Sequence, residues 1–330
     1  MPVIAWAILH STTSMNGVTH RATWKTLLAF SIIYVVWGST YLAIRVGVRE
    51  FPPFLLAALR FSVAGALLYG WMIARGERSP GWRQWIEISL LAILFFVLDY
   101  GLLFWAEKRV PSGIAAVMMA SIPVFIALLE VTLLRTQTIT VRLALALSAG
   151  IAGVAVLVSR PRYLGGTPID GIGAMALLVA SISWALGTAL TRKLSLPSSH
   201  VMNSGSQMLA GGALLALTSA ALGEFHHFHP GSISREAWIA LLYLIVAGSI
   251  VAFTAYLWLI RHESPTKVGT YAYVNPVVAV LIGYFFAGET LGRRTLLGTA
   301  LILMSVVVIA TAKPKRAAAL PVTERAKAAG

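Results

Sequence analysis

The sequence repeats itself once along its length. With an offset of 147 residues, the stretch 37–45 (WGSTYLAIR) aligns with 184–192 (WALGTALTR). Further along the offset becomes 153, which aligns Trp105 with Trp258, and an insertion of six residues explains the change. The repeated unit is a series of apolar segments. A duplicated set of membrane helices is the usual architecture of a secondary transporter.

The composition is that of a polytopic membrane protein. Of the 330 residues 58% are hydrophobic and 12% are charged, with a mean hydropathy of +0.80, whereas soluble domains carry about 25% charged residues. The net charge of +14 is spread between and beyond the apolar segments. This pattern favours contact with anionic lipid head groups and argues against a nucleic-acid partner.

Ten transmembrane helices are predicted, because about 20 apolar residues are needed to cross a bilayer core of about 30 Å. They are expected near 27–47, 52–74, 84–106, 112–134, 142–159, 171–191, 200–222, 237–259, 266–287 and 294–312. The fold class is therefore all-α. Since each repeat has five spans, an odd number, the second repeat must enter the membrane inverted relative to the first.

The predicted divisions of the chain follow from these spans. They are an N-terminal tail (1–25), a first repeat (26–160), a second repeat (161–313) and a basic C-terminal tail (314–330). Met1 and Met15 both remain candidates for the start of the protein. Sixteen Lys and Arg residues lie on the side of the N-terminus and eight on the other side. The positive-inside rule then places both termini in the cytoplasm, with the protein in the cell's inner membrane.

Charged residues inside predicted spans are candidates for function, because a charge at mid-bilayer costs at least about 2.5–3.5 kcal/mol. Arg60 and Asp99 are expected at similar depth in neighbouring helices, where they could form an ion pair. That pair is either a structural salt bridge or a cavity charge that contacts substrate or a proton. Glu130 is expected near the inner end of the fourth span, where it either binds a proton or cation or pairs with a neighbour such as Arg135.

Aromatic residues and prolines recur at equivalent positions of the two repeats. Trp37 and Trp184 align, and Tyr41 and Thr188 lie one helical turn further on. Such a face either holds a planar or cationic solute or packs against another helix.

Two prolines, Pro123 and Pro276, are also equivalent and fall in mid-span. Because proline removes a backbone donor, both are predicted helix breaks, of either structural or site-forming significance.

Several segments, in this order and in duplicate, resemble the EamA type of the drug/metabolite transporter superfamily and its YedA-like exporters. They are WGSTYLAIR (37–45), ALRFSVAGALL (58–68), IP (122–123), NP (275–276) and GETL (288–291). The resemblance implies two inverted five-helix repeats and a central cavity lined by the first, third and fourth helix of each. It also implies export of small metabolites or drugs. This chain departs from the pattern at Thr136, which stands opposite Glu289, and at Asp99, where an uncharged polar residue is expected.

We therefore expect a secondary transporter that exports amino acids, related metabolites or planar cationic drugs by alternating access, working as a monomer or homodimer. The alternative is a membrane-embedded lipid or acyl transferase. Proton coupling through Asp99 is a further hypothesis. No catalytic residue, metal or cofactor is expected, since motifs for them are missing from the sequence and the histidines of 226–229 are a weak metal signal. The cavity is expected to be lined by Trp37, Tyr41, Asp99, Tyr100, Met118, Ser121, Trp184, Thr188, Tyr256, Tyr273 and Asn275.

Overall fold

The structure, a computed structural model, describes residues 24–133, 138–158, 170–191, 193–263, 268 and 270–311. These residues form helices and connecting turns and contain no β-strand, so the predicted all-α fold class is confirmed. Residues 1–23 and 312–330 lie outside the described ranges, and with them almost all of the two predicted tails.

Within the described ranges the chain forms ten long helices, labelled α1 to α10. The first five are α1 (Trp24–Gly47), α2 (Pro53–Ala74), α3 (Trp82–Glu107), α4 (Ser112–Thr132) and α5 (Val141–Val158). The second five are α6 (Gly171–Thr191), α7 (His200–Ala221), α8 (235–262), α9 (Tyr271–Ala287) and α10 (Arg293–Thr311). Each predicted span coincides with one helix. The predicted start of the ninth span, at 266, lies outside the described residues, and α9 as described begins at Tyr271.

The helices form a surface suited to lipid. By length and composition, six of them could cross a membrane: Trp24–Gly47, Pro53–Ala74, Trp82–Glu107, Ser112–Thr132, Gly171–Thr191 and Arg235–Leu259. The helices Val141–Leu157 and Tyr271–Ala287 are apolar but shorter. Large apolar side chains lie on the outside, and Phe286 is 80% exposed. An apolar exterior of this extent is typical of a protein embedded in lipid.

The two halves meet along α2 and α7, whose backbones approach closely. Gly65 of α2 lies against the backbone of Leu209, and Gly212 of α7 lies against the backbone of Ser62. Residue numbers therefore increase in opposite directions along the two helices, which run antiparallel. Small residues permit this close approach, as they commonly do between membrane helices.

The helices α5 and α10 form a second antiparallel pair. Gly150 lies against Ser305, and Gly298 lies against Leu157 further along. The hydroxyl of Ser305 donates to the carbonyl of Ala146 at 2.6 Å. Each of these pairs joins helices that hold the same position in the two halves.

The first helix of each half also makes equivalent contacts with the other half. The helix α1 packs against α8 and α9, and its counterpart α6 packs against α3 and α4. Because the equivalent helices α2 and α7 are antiparallel, the second half is inverted relative to the first. The helices α1, α3, α4, α6, α8 and α9 therefore meet between the halves, and this is where a shared site can form.

Three helices are irregular near this region. In α3 the segment Ile93–Gly101 is π-helical, and in α8 the segment Leu244–Val251 is π-helical. The helix α4 is interrupted between Met119 and Ile122, with Pro123 as the second residue of the new segment, where a missing N–H costs nothing. Segments of π-helix frequently mark functional sites.

Pro276 does not behave as predicted. It lies inside the continuous helix Tyr271–Ala287 and does not divide it. Only one turn of α9 precedes the proline, so the missing hydrogen bond affects a single turn at the end of the helix. The two prolines are equivalent in sequence, but only Pro123 lies at a break.

The close contact of α2 with α7 yields a prediction. Replacement of Gly65 by Ala places a Cβ atom against the backbone of Leu209, which cannot give way as a side chain can. We expect Gly65→Ala to destabilise the protein by about 1–3 kcal/mol, measured as a lower Tm in detergent. Gly70→Ala is the matched control, because Gly70 lies on the same helix with nothing within 4 Å of its Cβ position. Equal stability of the two variants would contradict the proposed packing.

Candidate functional site

In each π-helical segment, one backbone carbonyl accepts a hydrogen bond from a side chain of the opposite half. The indole nitrogen Nε1 of Trp37 in α1 donates to the carbonyl of Gly248 at 3.1 Å. The hydroxyl of Ser183 in α6 donates to the carbonyl of Leu94 at 2.8 Å. A widened turn leaves carbonyls poorly satisfied within the helix, so these bonds stabilise both irregularities. They also fix α1 to α8 and α6 to α3.

Arg60 of α2 is buried between the halves, with 3% of its surface exposed. Its Nε atom donates to the hydroxyl of Ser249 in the π-helical segment of α8 at 2.9 Å. Its guanidinium carbon lies 4.7 Å from the ring centre of Phe61 and 5.4 Å from that of Tyr100. Its Nη1 atom is buried and has no hydrogen-bond partner among the described residues.

Asp99 lies in the π-helical segment of α3 and is 1% exposed. Its Oδ1 atom is buried and, within the described part of the chain, has no hydrogen-bond partner. A buried carboxyl group without a partner is costly and therefore needs an explanation.

The ion pair expected between Arg60 and Asp99 is not formed. The ion pairs given for the described residues join Arg45 to Glu289 and Arg109 to Asp170. The reason is that Ser249 holds the Nε atom of Arg60 towards α8, while the rings of Phe61 and Tyr100 lie beside the guanidinium. Two residues of opposite formal charge are therefore buried in adjoining helices without forming an ion pair.

Aromatic side chains form two groups near Arg60 and Asp99, and each group contains one tryptophan. The ring centre of Trp37 lies 5.4 Å from that of Tyr256 and 5.2 Å from that of Tyr271. Trp184 lies 4.7 Å from Phe95, and 6.0 Å from the ring of Tyr100. Since Tyr100 also neighbours Arg60, the second group reaches the buried charge.

The other candidate residues are dispersed around these groups. Tyr41 is half-buried against the core that contains Phe61 and Phe104. The hydroxyls of Ser121 and Thr188 donate to the carbonyls of Met118 and Trp184 at 2.6 Å and 2.9 Å, so both are occupied within their own helices.

Three further candidates, Met118, Asn275 and Tyr273, differ in how deeply their side chains are buried. Met118 is wholly enclosed in the core. Asn275 is 8% exposed, and its Oδ1 atom has no partner in the described residues. Tyr273 is half-buried at the start of α9.

Glu130 is half-buried on the second segment of α4. Its proposed partner Arg135 lies outside the described residues. Glu130 belongs to the opposite end of α4 from the helix start at Ser112 and is not part of the central site.

Sequence reasoning missed several residues of the site. Ser249, Tyr271 and Phe95 each contact one of the predicted residues. The repeat offset of 153 carries a signal for Tyr271, because it aligns that residue with Met118, which was predicted. The π-helical segments have no such signal, since their composition is that of the surrounding helix.

Polar contacts between the halves close one end of the bundle, here named the Glu289 end. Glu289 follows α9 and accepts hydrogen bonds from the Ser112 and Gly113 backbone nitrogens at 2.7 Å and 3.0 Å, which begin α4. The Ser112 hydroxyl donates to it at 2.7 Å, and Arg45 Nε lies 3.6 Å from it. A carboxylate at a helix N-terminus is well placed, because free N–H groups and the helix dipole both favour it.

Further contacts lie at the same end. Glu224 accepts from the backbone nitrogen of Leu55 at 2.9 Å and so caps α2. The ring of Phe51 stacks on Phe228 with centres 5.6 Å apart. Glu50 accepts from the backbone and hydroxyl of Ser234 at 2.5 Å, and these bonds lower the pKa of Glu50. Most of these groups come from opposite halves, so their contacts join the two halves at this end.

Two inverted five-helix halves around a buried polar and aromatic centre define the class of polytopic membrane transporters. The EamA-like transporter family model matches this chain twice, at residues 24–159 and 171–311. The chain belongs to the EamA-like transporter family. It is a transporter rather than an enzyme.

Individual relatives agree with this assignment. The inner membrane transporter YedA of Escherichia coli strain K12 is 36% identical over 306 residues, covering 90% of this chain and 95% of that protein. A transporter of Archaeoglobus fulgidus is 27% identical over 290 residues, covering 88% and 98%. A solved crystal structure matches with a TM-score of 0.57 and 23% identity over 86% of this chain and 95% of its own, which supports the fold.

The unpaired carboxyl group yields a second prediction. Asp99→Asn removes an ionisable group that is buried without a partner, so we expect a gain in thermal stability of about 1 kcal/mol together with reduced transport. The control is Glu236→Gln, which changes an exposed carboxylate at the start of α8 and should leave both quantities nearly unchanged. A clear loss of stability in Asp99→Asn would show that the carboxylate is neutralised in the folded protein.

Proposed function

We propose that this chain exports small zwitterionic metabolites, such as amino acids, across the inner membrane by alternating access. The observation that carries the proposal is the buried guanidinium of Arg60. It lies between the two halves, its Nη1 atom has no partner among the described residues, and no carboxylate there neutralises it.

A substrate carboxylate would supply what Arg60 lacks. Guanidinium groups bind carboxylates with two parallel hydrogen bonds, which gives both energy and orientation. The Nε atom is held by Ser249, so the remaining nitrogens are the ones offered to a ligand. In a low-dielectric interior such a charge-assisted bond contributes about 1.5–3 kcal/mol.

Asp99 would bind the other end of the same solute. The ring centre of its neighbour in sequence, Tyr100, lies 5.4 Å from the guanidinium carbon of Arg60, which supports a common binding region for Arg60 and Asp99. An amino acid carries one carboxylate and one ammonium group, and its binding would neutralise both buried residues at once. This complementarity favours a zwitterion over a simple anion.

The aromatic groups would contact the apolar part of the substrate. Trp37, Tyr256 and Tyr271 on one side and Trp184 with Phe95 on the other offer ring faces and edges. Planar cationic drugs are the second candidate class, because aromatic faces attract cations by about 0.5–2 kcal/mol. The positive charge of Arg60 opposes a cationic ligand, and for this reason we favour the zwitterion.

The irregular helices would provide the movement. The halves are joined at the centre through π-helical segments and the interruption of α4, where helices bend more readily than in regular turns. We propose that the Glu289 end faces the periplasm and that the N- and C-terminal ends lie in the cytoplasm, as the distribution of basic residues predicts. Rocking of the halves would then expose the centre to each side in turn.

Transport by purified protein in proteoliposomes tests the proposal. We expect saturable, competitive transport of at least one amino acid, and we expect Arg60→Gln to lower the apparent affinity by about 10–100-fold, equivalent to losing about 1.5–3 kcal/mol. Arg60→Lys keeps the charge but loses the two parallel hydrogen bonds, so its apparent affinity should lie between those of the wild type and Arg60→Gln. Arg49→Gln is the control, because Arg49 is exposed at a loop between α1 and α2.

Competition separates the two solute classes. Competitors that retain both charged groups should inhibit, whereas esters that lack the carboxylate should inhibit weakly in the wild type and equally in Arg60→Gln. Transport of planar cations that is unaffected by Arg60→Gln, with no amino acid transported, would refute the zwitterion proposal in favour of the drug class.

A further inference from the structure

Glu107, the last residue of α3, is an acidic residue that lies outside the central site. It is 1% exposed, and both of its carboxyl oxygens are buried without a hydrogen-bond partner among the described residues. Glu107 lies one residue beyond the predicted third span (84–106) and is not among the predicted site residues. A carboxyl group in this position is far too costly to keep charged without compensation.

Glu107 lies between charged groups of the Glu289 end and titratable groups nearer the centre. Arg45 donates through Nη1 to the backbone carbonyls of Glu107 and Val110 at 3.1 Å and 2.6 Å. The charged neighbours of its carboxyl group are Arg45 and Glu289, and Tyr41 is the titratable group on its central side. Asp99 lies further along α3 and acts on the same tyrosine.

Arg45 therefore neighbours two carboxyl groups, that of Glu107 in the first half and that of Glu289 in the second half. Arg45 lies 3.6 Å from Glu289, which also accepts three hydrogen bonds from the start of α4. Glu289 is thus well satisfied as a carboxylate, and the pair it makes with Arg45 has no net charge. An ionised Glu107 would add an uncompensated negative charge beside Glu289, so the closed arrangement requires Glu107 to be neutral.

Separation of the halves changes this balance. Glu289 belongs to the second half, whereas Arg45 and Glu107 both belong to the first half. When the Glu289 end opens, Arg45 loses its carboxylate partner, water reaches the site, and Glu107 becomes the nearest acid that can neutralise Arg45. Opening therefore favours ionisation of Glu107, and protonation favours closure, because the two processes are thermodynamically linked.

We propose that Glu107 is a proton-binding site that opens and closes the Glu289 end by competing with Glu289 for Arg45. In the closed state a proton is held on the carboxyl oxygen of Glu107, and on opening the O–H bond breaks and the proton passes to water. The closed end is favoured at low pH and the open end at high pH. This inference rests on the proposed alternating access, but not on the identity of the substrate.

The proposed proton-binding site exists at only one end of the bundle. With the repeat offset of 153, Glu107 aligns with Ile260, and Glu289 aligns with Thr136. Neither carboxyl group has an acidic counterpart in the other repeat. A proton taken up at the Glu289 end therefore biases the two access states unequally.

Spin-label distances across the Glu289 end test the proposal without substrate. The chain contains no cysteine, so Arg49→Cys and Arg293→Cys, exposed positions on opposite halves at this end, can be labelled specifically. In lipid nanodiscs we expect the measured distance to lengthen as pH rises from about 5 to about 9, a range that spans carboxyl groups shifted by burial.

Three variants in this labelled background give distinct expectations. Glu107→Gln imitates the protonated form and should show the short distance at every pH. Glu289→Gln weakens the partner that holds Arg45 and should show the long distance at both extremes. The control Glu236→Gln, an exposed acid at the same end, should respond to pH as the wild type does.

Infrared spectroscopy supplies a second readout that does not depend on the variants folding equally well. In the wild type, the band of the protonated carboxyl group should disappear over the same pH range in which the distance lengthens. A wild-type distance that ignores pH, or a full pH response in Glu107→Gln, would overturn the proposal. A response lost in Asp99→Asn but retained in Glu107→Gln would also overturn it and assign the proton to Asp99.

The outcome is separable from that of the proposed function. Failure of amino acid transport would refute the zwitterion substrate and leave the pH response of the labels as predicted here. Loss of the pH response would refute the proton site and leave the dependence of transport on Arg60 as predicted above.

Discussion

A positive charge buried without a counter-charge is the constraint on which the rest of this structure depends. Arg60 is held by a hydrogen bond from its Nε atom to Ser249 and lies beside the rings of Phe61 and Tyr100, yet no acidic side chain of the described residues neutralises it. A protein embedded in lipid retains such a residue only where it serves a purpose, because every unpaired charge lowers stability. The close contact of α2 with α7 places it between the halves, and the π-helical segments of α3 and α8 place its neighbours. In the proposed function, the carboxylate of a substrate supplies the missing partner.

The inverted duplication explains why the site lies where it does, and its imperfections explain how the two ends differ. The antiparallel contacts of α2 with α7 and of α5 with α10 hold equivalent helices together, so the remaining six helices face one another. The two halves pack in equivalent ways, but several equivalent positions carry different side chains. Arg60 aligns with Gln207, and Glu289 aligns with Thr136. In the proposed mechanism, the equivalent packing of the halves allows two alternative openings, and the residues that differ between the halves form the substrate site and the contacts at the Glu289 end.

Much of the fold could be predicted from the sequence, because a bilayer imposes the length and composition of each helix. All ten helices follow from apolar runs, and the burial of Arg60 and Asp99 follows from their position within them. Their failure to pair could not be predicted, since it depends on Ser249, which a π-helical segment of ordinary composition places beside Arg60. Glu107 was missed for a simpler reason: the third helix continues past its apolar run, and only packing shows that this acidic end is buried. Pro276 shows the converse, since a helix breaker in sequence can lie within a continuous helix.

We propose that Arg60 and Asp99 bind the two charged ends of one solute between the inverted halves. A structure of the protein with an amino acid bound, determined by electron cryo-microscopy in nanodiscs, would decide this. The carboxylate is expected within hydrogen-bonding distance of the Arg60 guanidinium, the ammonium group beside Asp99, and Trp37 and Trp184 on either side of the solute. A solute bound elsewhere, or an Arg60 that pairs with Asp99 in the presence of the ligand, would exclude this mode of binding.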